Sequence, residues 1–246
     1  MQYETRFSGG FGSSLTDLGK KMLIAYLAIY IVELILIHWL HVDVISGLGL
    51  WPLYGEKFHV WQIFAHPFLH DPFSPLGFLL DCIVFYFFAG SIEEVFGTRD
   101  FLKLFYISAA GGALFGLLLS GIPGFDLPFF GMTPSILAMI VVFGFLNPEA
   151  TILLMFIFPL KAKYLSYGTI LITFLTFLAK ANPYGAYHLG GIFFGYLYFR
   201  GPKNVFDYHG IHLRYIQWQY ERKKKSRFKV YDGGKNKKKD DGPTYH

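Results

Sequence analysis

Thr133 and His188 each head an apolar stretch, and Asp81 sits inside a third, where an ionisable group is costly unless it faces a protein interior or cavity. Thr133 lies in Gly131-Met132-Thr133-Pro134-Ser135, and His188 in Tyr187-His188-Leu189-Gly190-Gly191. A hydroxyl and an imidazole on separate helices can serve as nucleophile and general base if they come within hydrogen-bond reach. Such chemistry also needs donors aimed at the developing oxyanion. The plainer reading has Thr133 capping or packing its helix and His188 as a buried polar residue. Ser135 also carries a hydroxyl, but two helical positions on it faces nearly the opposite way. Asp81 with His188 could instead relay protons, although the apolar stretches lack the paired inverted-repeat pattern of many transporters. His66 and His70 have the spacing of paired metal ligands, yet Pro67 intervenes and no His-Glu-x-x-His run exists, so His70 reads as loop packing. Glu93 and Glu94 read as anchors of a connection, through hydrogen bonds or Arg99. His209 and His212 fall in a polar tail without convincing partners, and Cys82 is solitary.

The elements that must position these groups are membrane helices. Of 246 residues, 53% are hydrophobic and only 16% charged, far from a soluble average. The run Met22 to Leu40 is long enough to cross a hydrocarbon core of roughly 30 Å. Glu33 and His38 within it predict one face turned toward protein. No small-x-small cleavage site follows, so it reads as a retained helix and not as a signal peptide. Further apolar segments run Leu76–Ala89, Leu102–Leu119, Ser135–Phe145, Leu165–Leu178 and Ala186–Tyr198. Ala150 to Leu160 reads as a cytoplasmic connection because Pro159 is followed by Lys161 and Lys163. Six crossings place both termini on one side. Lys20/Lys21, Arg99/Lys103, Lys161/Lys163 and Arg200/Lys203 then share that side, which the positive-inside rule makes cytoplasmic.

Three regions follow: a polar cytoplasmic lead (1–19), a membrane domain (20–200) and a basic tail (201–246). The tail, lysine-rich and broken by glycines between Arg222 and Lys239, reads as disordered and able to touch anionic headgroups; nothing suggests a base-reading fold. The connection over residues 42–74 is aromatic and reads as a partly embedded outer loop with short helices. Ser74-Pro75 supplies a cap and first-turn proline. Gly112-x-x-x-Gly116 and Gly191-x-x-x-Gly195 predict close helix approach, after which residues 120–130 form a loop rich in Gly, Pro and Phe.

Together several stretches resemble the rhomboid family of intramembrane serine proteases and their inactive relatives. They are Trp61-Gln-Ile-Phe, Pro67-Phe-Leu-His70, Phe87-Phe-Ala-Gly-Ser-Ile-Glu-Glu-Val-Phe-Gly97, Gly131-Met-Thr-Pro134, Pro159-Leu-Lys-Ala-Lys-Tyr-Leu165 and Tyr187-His-Leu-Gly-Gly191. The resemblance implies an all-α, six-span bundle with a long first outer loop, needing no cofactor or metal. It puts Thr133 where active members carry serine in a Gly-x-Ser-Gly turn, with Pro134 in place of the glycine. His188 matches the general base. Gly77 and Asp81 stand where the family has a histidine and an asparagine that assist the oxyanion, and Gln62 where an arginine commonly follows the tryptophan.

Each departure has a physical consequence. Threonine adds a methyl that restricts rotamers, and Pro134 lacks an N–H and biases Thr133 away from helical angles. Gly77 offers no donor, and an ionised Asp81 opposes a forming oxyanion. The resemblance therefore implies a pseudoprotease that engages transmembrane helices of client proteins, near its second and fifth spans. The alternative is an intramembrane endopeptidase using Thr133 and His188. Expected partners are lipids and client helices, not nucleic acid, with oligomeric state left open; the expected location is a prokaryotic inner or cytoplasmic membrane.

Overall fold

A computed structural model describes residues 15–122, 127–154, 158–180 and 183–201. Most of the lead, part of the 120–130 loop and all of the tail after Gly201, including His209 and His212, lie outside the described residues.

The first helix, α1, spans Asp17–His38. It begins ahead of the apolar run because Thr16 caps it, its Oγ1 accepting the Gly19 N–H at 3.1 Å. Tyr26, Tyr30 and Glu33 form its buried face, while Ile24, Leu27, Ile31 and Ile35 are exposed. The one-sided pattern expected from Glu33 is thus present.

Short helices α2 (Val44–Leu48) and α3 (Gln62–Ala65) and a 3₁₀ turn over His66–Phe68 occupy the following connection. Gln62, fully buried, organises it. Its Oε1 accepts from Trp51 N–H (3.2 Å) and His59 N–H (3.1 Å), and its Nε2 donates to the Lys57 carbonyl at 2.9 Å. Reciprocal backbone bonds between Leu50 and Phe129, at 2.9 and 2.8 Å, tie this region to the segment entering α6.

Helix α4 (Pro75–Phe96) starts on the expected proline, but the Ser74 side chain makes no capping bond. It also runs past Ala89, so Glu93 and Glu94 lie in its last turns and not after it. The extension is stable because Glu93, buried, accepts hydrogen bonds from Thr16 Oγ1 and from Thr98 Oγ1 (2.7 Å). Gly97, at φ 77°, breaks the helix before α5 (Thr98–Leu119) begins.

Helix α6 (Thr133–Leu146) is short and almost wholly buried. It packs against α4, α5, α7 (Ala162–Lys180) and α8 (Pro183–Arg200), which makes it the hub of the bundle. α5 and α8 share the most extensive helix contact. Glycines permit it: a Cβ at Gly190 would lie 2.5 Å from the Gly111 carbonyl oxygen, and one at Gly191 2.9 Å from both Cα and O of Pro134.

Four helices, α1, α4, α5 and α7, are long and apolar enough to cross a membrane. The protein is an all-α, multi-pass membrane bundle. The stretch read as a connection before α7 carries a small antiparallel hairpin, β1 (Thr151–Leu154) with β2 (Phe158–Lys161), in which Thr151 faces Lys161. Glu149 beside it accepts from Lys161 Nζ at 2.6 Å and from Lys163 Nζ, and these two ammonium groups hold its carboxyl down at about 2.

Candidate functional site

The head of α6 is built by a turn at Gly131, whose φ of 101° favours glycine. The Gly131 N–H donates to the His66 carbonyl at 3.0 Å, and the Gly131 carbonyl accepts from the Tyr187 hydroxyl at 3.0 Å. The α3–3₁₀ segment, α6 and α8 thus meet at one residue.

Pro134 does not displace Thr133 from the helix, as its backbone bias had suggested: α6 begins at Thr133 itself. A proline in the first turn forfeits only an N–H that would have no partner within the helix. The same fact removes one backbone donor from the helix head, where an anion would otherwise be favoured.

Gly77, Asp81, Thr133 and His188 all line one cavity of about 420 Å³. Asp81 comes from α4, Thr133 from α6 and His188 from α8, so the three elements named by the sequence do converge. The hydroxyl, however, is spent on the carboxylate: Thr133 Oγ1 donates to Asp81 Oδ2 at 3.1 Å. Among the described residues His188 has no hydrogen-bond partner; its ring neighbours are Tyr187 at 5.7 Å and Tyr184 at 6.3 Å between centroids. An attack by Thr133 would need its proton turned away from Asp81 and toward a base. Gly77 contributes no side chain, and a Cβ there would lie 2.6 Å from Ser74 Oγ.

Ser135 is fully buried and donates to the Phe105 carbonyl at 2.7 Å, so its hydroxyl is committed to α5. This agrees with its expected orientation away from Thr133.

Sequence reasoning passed over part of the cavity wall. His70, read there as loop packing, lines the cavity while only 4% exposed. Its backbone N–H donates to Glu33 Oε2 at 3.2 Å, and Tyr26, Tyr30 and Phe78 meet its ring edge-on at 5.4, 5.8 and 4.6 Å. Burial pushes its imidazole down to about 4, which keeps it neutral at pH 7. His66 is held similarly, at about 4, by burial; its Nδ1 lies 3.0 Å from the Gln62 carbonyl. The Pro67-Phe-Leu-His70 stretch was the available signal for this wall, but nothing in it says which ring faces the cavity.

The family profile of the rhomboid domain matches residues 57–201, more than half of the chain. The chain belongs to the rhomboid family. The matched segment includes Gly77, Asp81, Thr133 and His188, and starts after α1. No curated protein matches this rhomboid.

Proposed function

We propose that this rhomboid is a pseudoprotease that engages transmembrane helices of client proteins without efficient cleavage. The observation that carries the reading is the Thr133–Asp81 hydrogen bond at 3.1 Å, which occupies the hydroxyl while His188 stands without a partner among the described residues. Three further features support it. Gly77 offers no oxyanion donor, Pro134 removes a backbone N–H from the helix head, and a carboxylate beside the attack site opposes negative charge on a carbonyl oxygen. Losing one well-placed oxyanion donor alone costs roughly 10²–10³ in rate.

The reading carries six membrane crossings, with both termini cytoplasmic in a prokaryotic inner membrane. The two helices beyond the four long apolar ones are α6, protected by its neighbours from lipid, and α8. Client helices would approach between α4 and α7. α4 packs on α1, α5 and α6, and α7 on α6, α8 and β2, while both present apolar side chains outward, among them Leu79, Ile83, Leu171 and Leu175. Photocrosslinkers at Leu79 and Leu175 of the full chain in native membranes are expected to capture a discrete set of membrane proteins intact. Capture no more selective than from a crosslinker at Ile24 of α1 would refute client binding.

The second reading, an intramembrane endopeptidase, is favoured by one observation: Thr133 and His188 share a cavity. There Thr133 Oγ1 would attack the peptide carbonyl, His188 would take its proton and return it to the leaving amine, and the acyl-threonine would be hydrolysed by water. Cleavage of a helix-destabilised substrate, abolished in both Thr133→Ala and His188→Ala, would establish that reading and displace the first.

A further inference from the structure

We propose that the cavity is a receptor for a primary ammonium group, presented by a lysine on the client segment; the proposal rests on the client-binding reading above. Its wall carries two carboxylates, Asp71 and Asp81, and among the described residues no lysine or arginine lines it. Asp81 spends Oδ2 on Thr133, and Asp71 uses Oδ1 to accept the Phe73 N–H at 2.9 Å, so each carboxylate has a second oxygen to offer. A cavity with this charge attracts cations and repels the carboxylates of other candidates.

Two independent features point to the same ligand. The first is His70, 96% buried by its 4% exposure and facing the cavity with both ring nitrogens unpartnered among the described residues. A neutral imidazole has one nitrogen that accepts, and an ammonium has three N–H donors to give. Leaving such a buried nitrogen without a partner is costly, so the site is incomplete as it stands. The second is aromatic: Phe78, Phe130 and Tyr184 line the cavity beside the carboxylates. Ring faces next to anionic oxygens are the usual surroundings of a bound ammonium. Tyr184 is fixed for this by its hydroxyl, which donates to the Pro128 carbonyl at 2.6 Å. A protease cavity that must stabilise an oxyanion has no use for two carboxylates, whereas an ammonium receptor does.

The test uses the full chain in nanodiscs of phosphatidylcholine and phosphatidylglycerol, with labelled single-span peptides that differ at one outer-end position: lysine, norleucine or glutamate. The lysine peptide should bind about tenfold tighter than the norleucine peptide, the effect of one charge-assisted hydrogen-bond set. Asp81→Asn should reduce that ratio to near one. Asp71→Asn, at an exposed position where asparagine can still accept from Phe73, should reduce it partly without unfolding the protein. Equal affinity for lysine and norleucine peptides overturns the ammonium receptor and leaves client binding intact. Binding of no peptide overturns both, and cleavage of a bound peptide overturns the pseudoprotease reading only. Loss of the lysine preference when phosphatidylethanolamine is added would assign the ammonium to lipid and overturn the client assignment.

Discussion

Replacing Gly191 by alanine places a methyl between α8 and α6, the two helices that bring His188 and Thr133 to one cavity. The added Cβ would lie 2.9 Å from Cα and O of Pro134, with Pro134 Cβ closer still. Carbon pairs rest at about 3.5–4.0 Å, so the helices must part by at least roughly 0.6 Å. Pro134 cannot relieve the contact by rotating, because its ring is fixed to the backbone. Overpacking of a tight interface costs about 1–3 kcal/mol, and this rigid contact belongs in the upper half of that range. The control is Gly168→Ala in α7, where a Cβ meets nothing within 4 Å. That change should be neutral or stabilise by up to about 1 kcal/mol through helix propensity. Reversible unfolding in mixed micelles measures both. If Gly191→Ala unfolds within about 0.5 kcal/mol of the parent, or Gly168→Ala is as damaging, close α6–α8 packing does not set the bundle.

Three further outcomes follow from the connection and the hairpin. Gln62→Met orphans the Trp51 and His59 N–H groups in a buried place and should cost about 2–4 kcal/mol, seen as destabilisation and faster proteolysis between α2 and α3. His66 is held at about 4 against an ordinary value of 6.5, so the unfolded chain binds its proton first as pH falls. Stability should therefore be full above pH 6.5 and decline by roughly 2–3 kcal/mol between pH 7.5 and 4.5, with a smaller decline in His66→Asn; an identical decline in that variant would refute the assignment. Glu149 should titrate near 2 by carboxyl NMR, with any stabilisation by its exposed ion pairs present above about pH 4.5 and lost as pH falls through 2. High salt should raise that midpoint, and a midpoint of 4.5 at low salt would contradict the pairing with Lys161 and Lys163.

Hydropathy located the long helices because burial in lipid demands continuous apolar sequence, and glycine spacing anticipated the α5–α8 contact. Helix ends were less legible. α4 passes Glu93 because Thr16 and Thr98 satisfy that carboxylate, and Thr16 lies 77 residues away, beyond any local signal. The convergence of Thr133, His188, Asp81 and Gly77 was readable only through family resemblance, since spacing alone does not say which helices are neighbours. The direction of the Thr133 proton was not readable at all: it depends on helix rotation and on a single rotamer. Gln62 looked like a missing arginine and is instead the hub of the connection. His70 looked like packing, which it is, but it also faces the cavity.

The commitment of the Thr133 hydroxyl to Asp81 in place of His188 is tested most directly by a fluorophosphonate, which reacts with hydroxyls activated by a base. The purified full chain in lipid, treated and mapped by mass spectrometry, should show Thr133 unmodified. A phosphonyl adduct on Thr133 that disappears in His188→Ala would contradict the account and restore the protease.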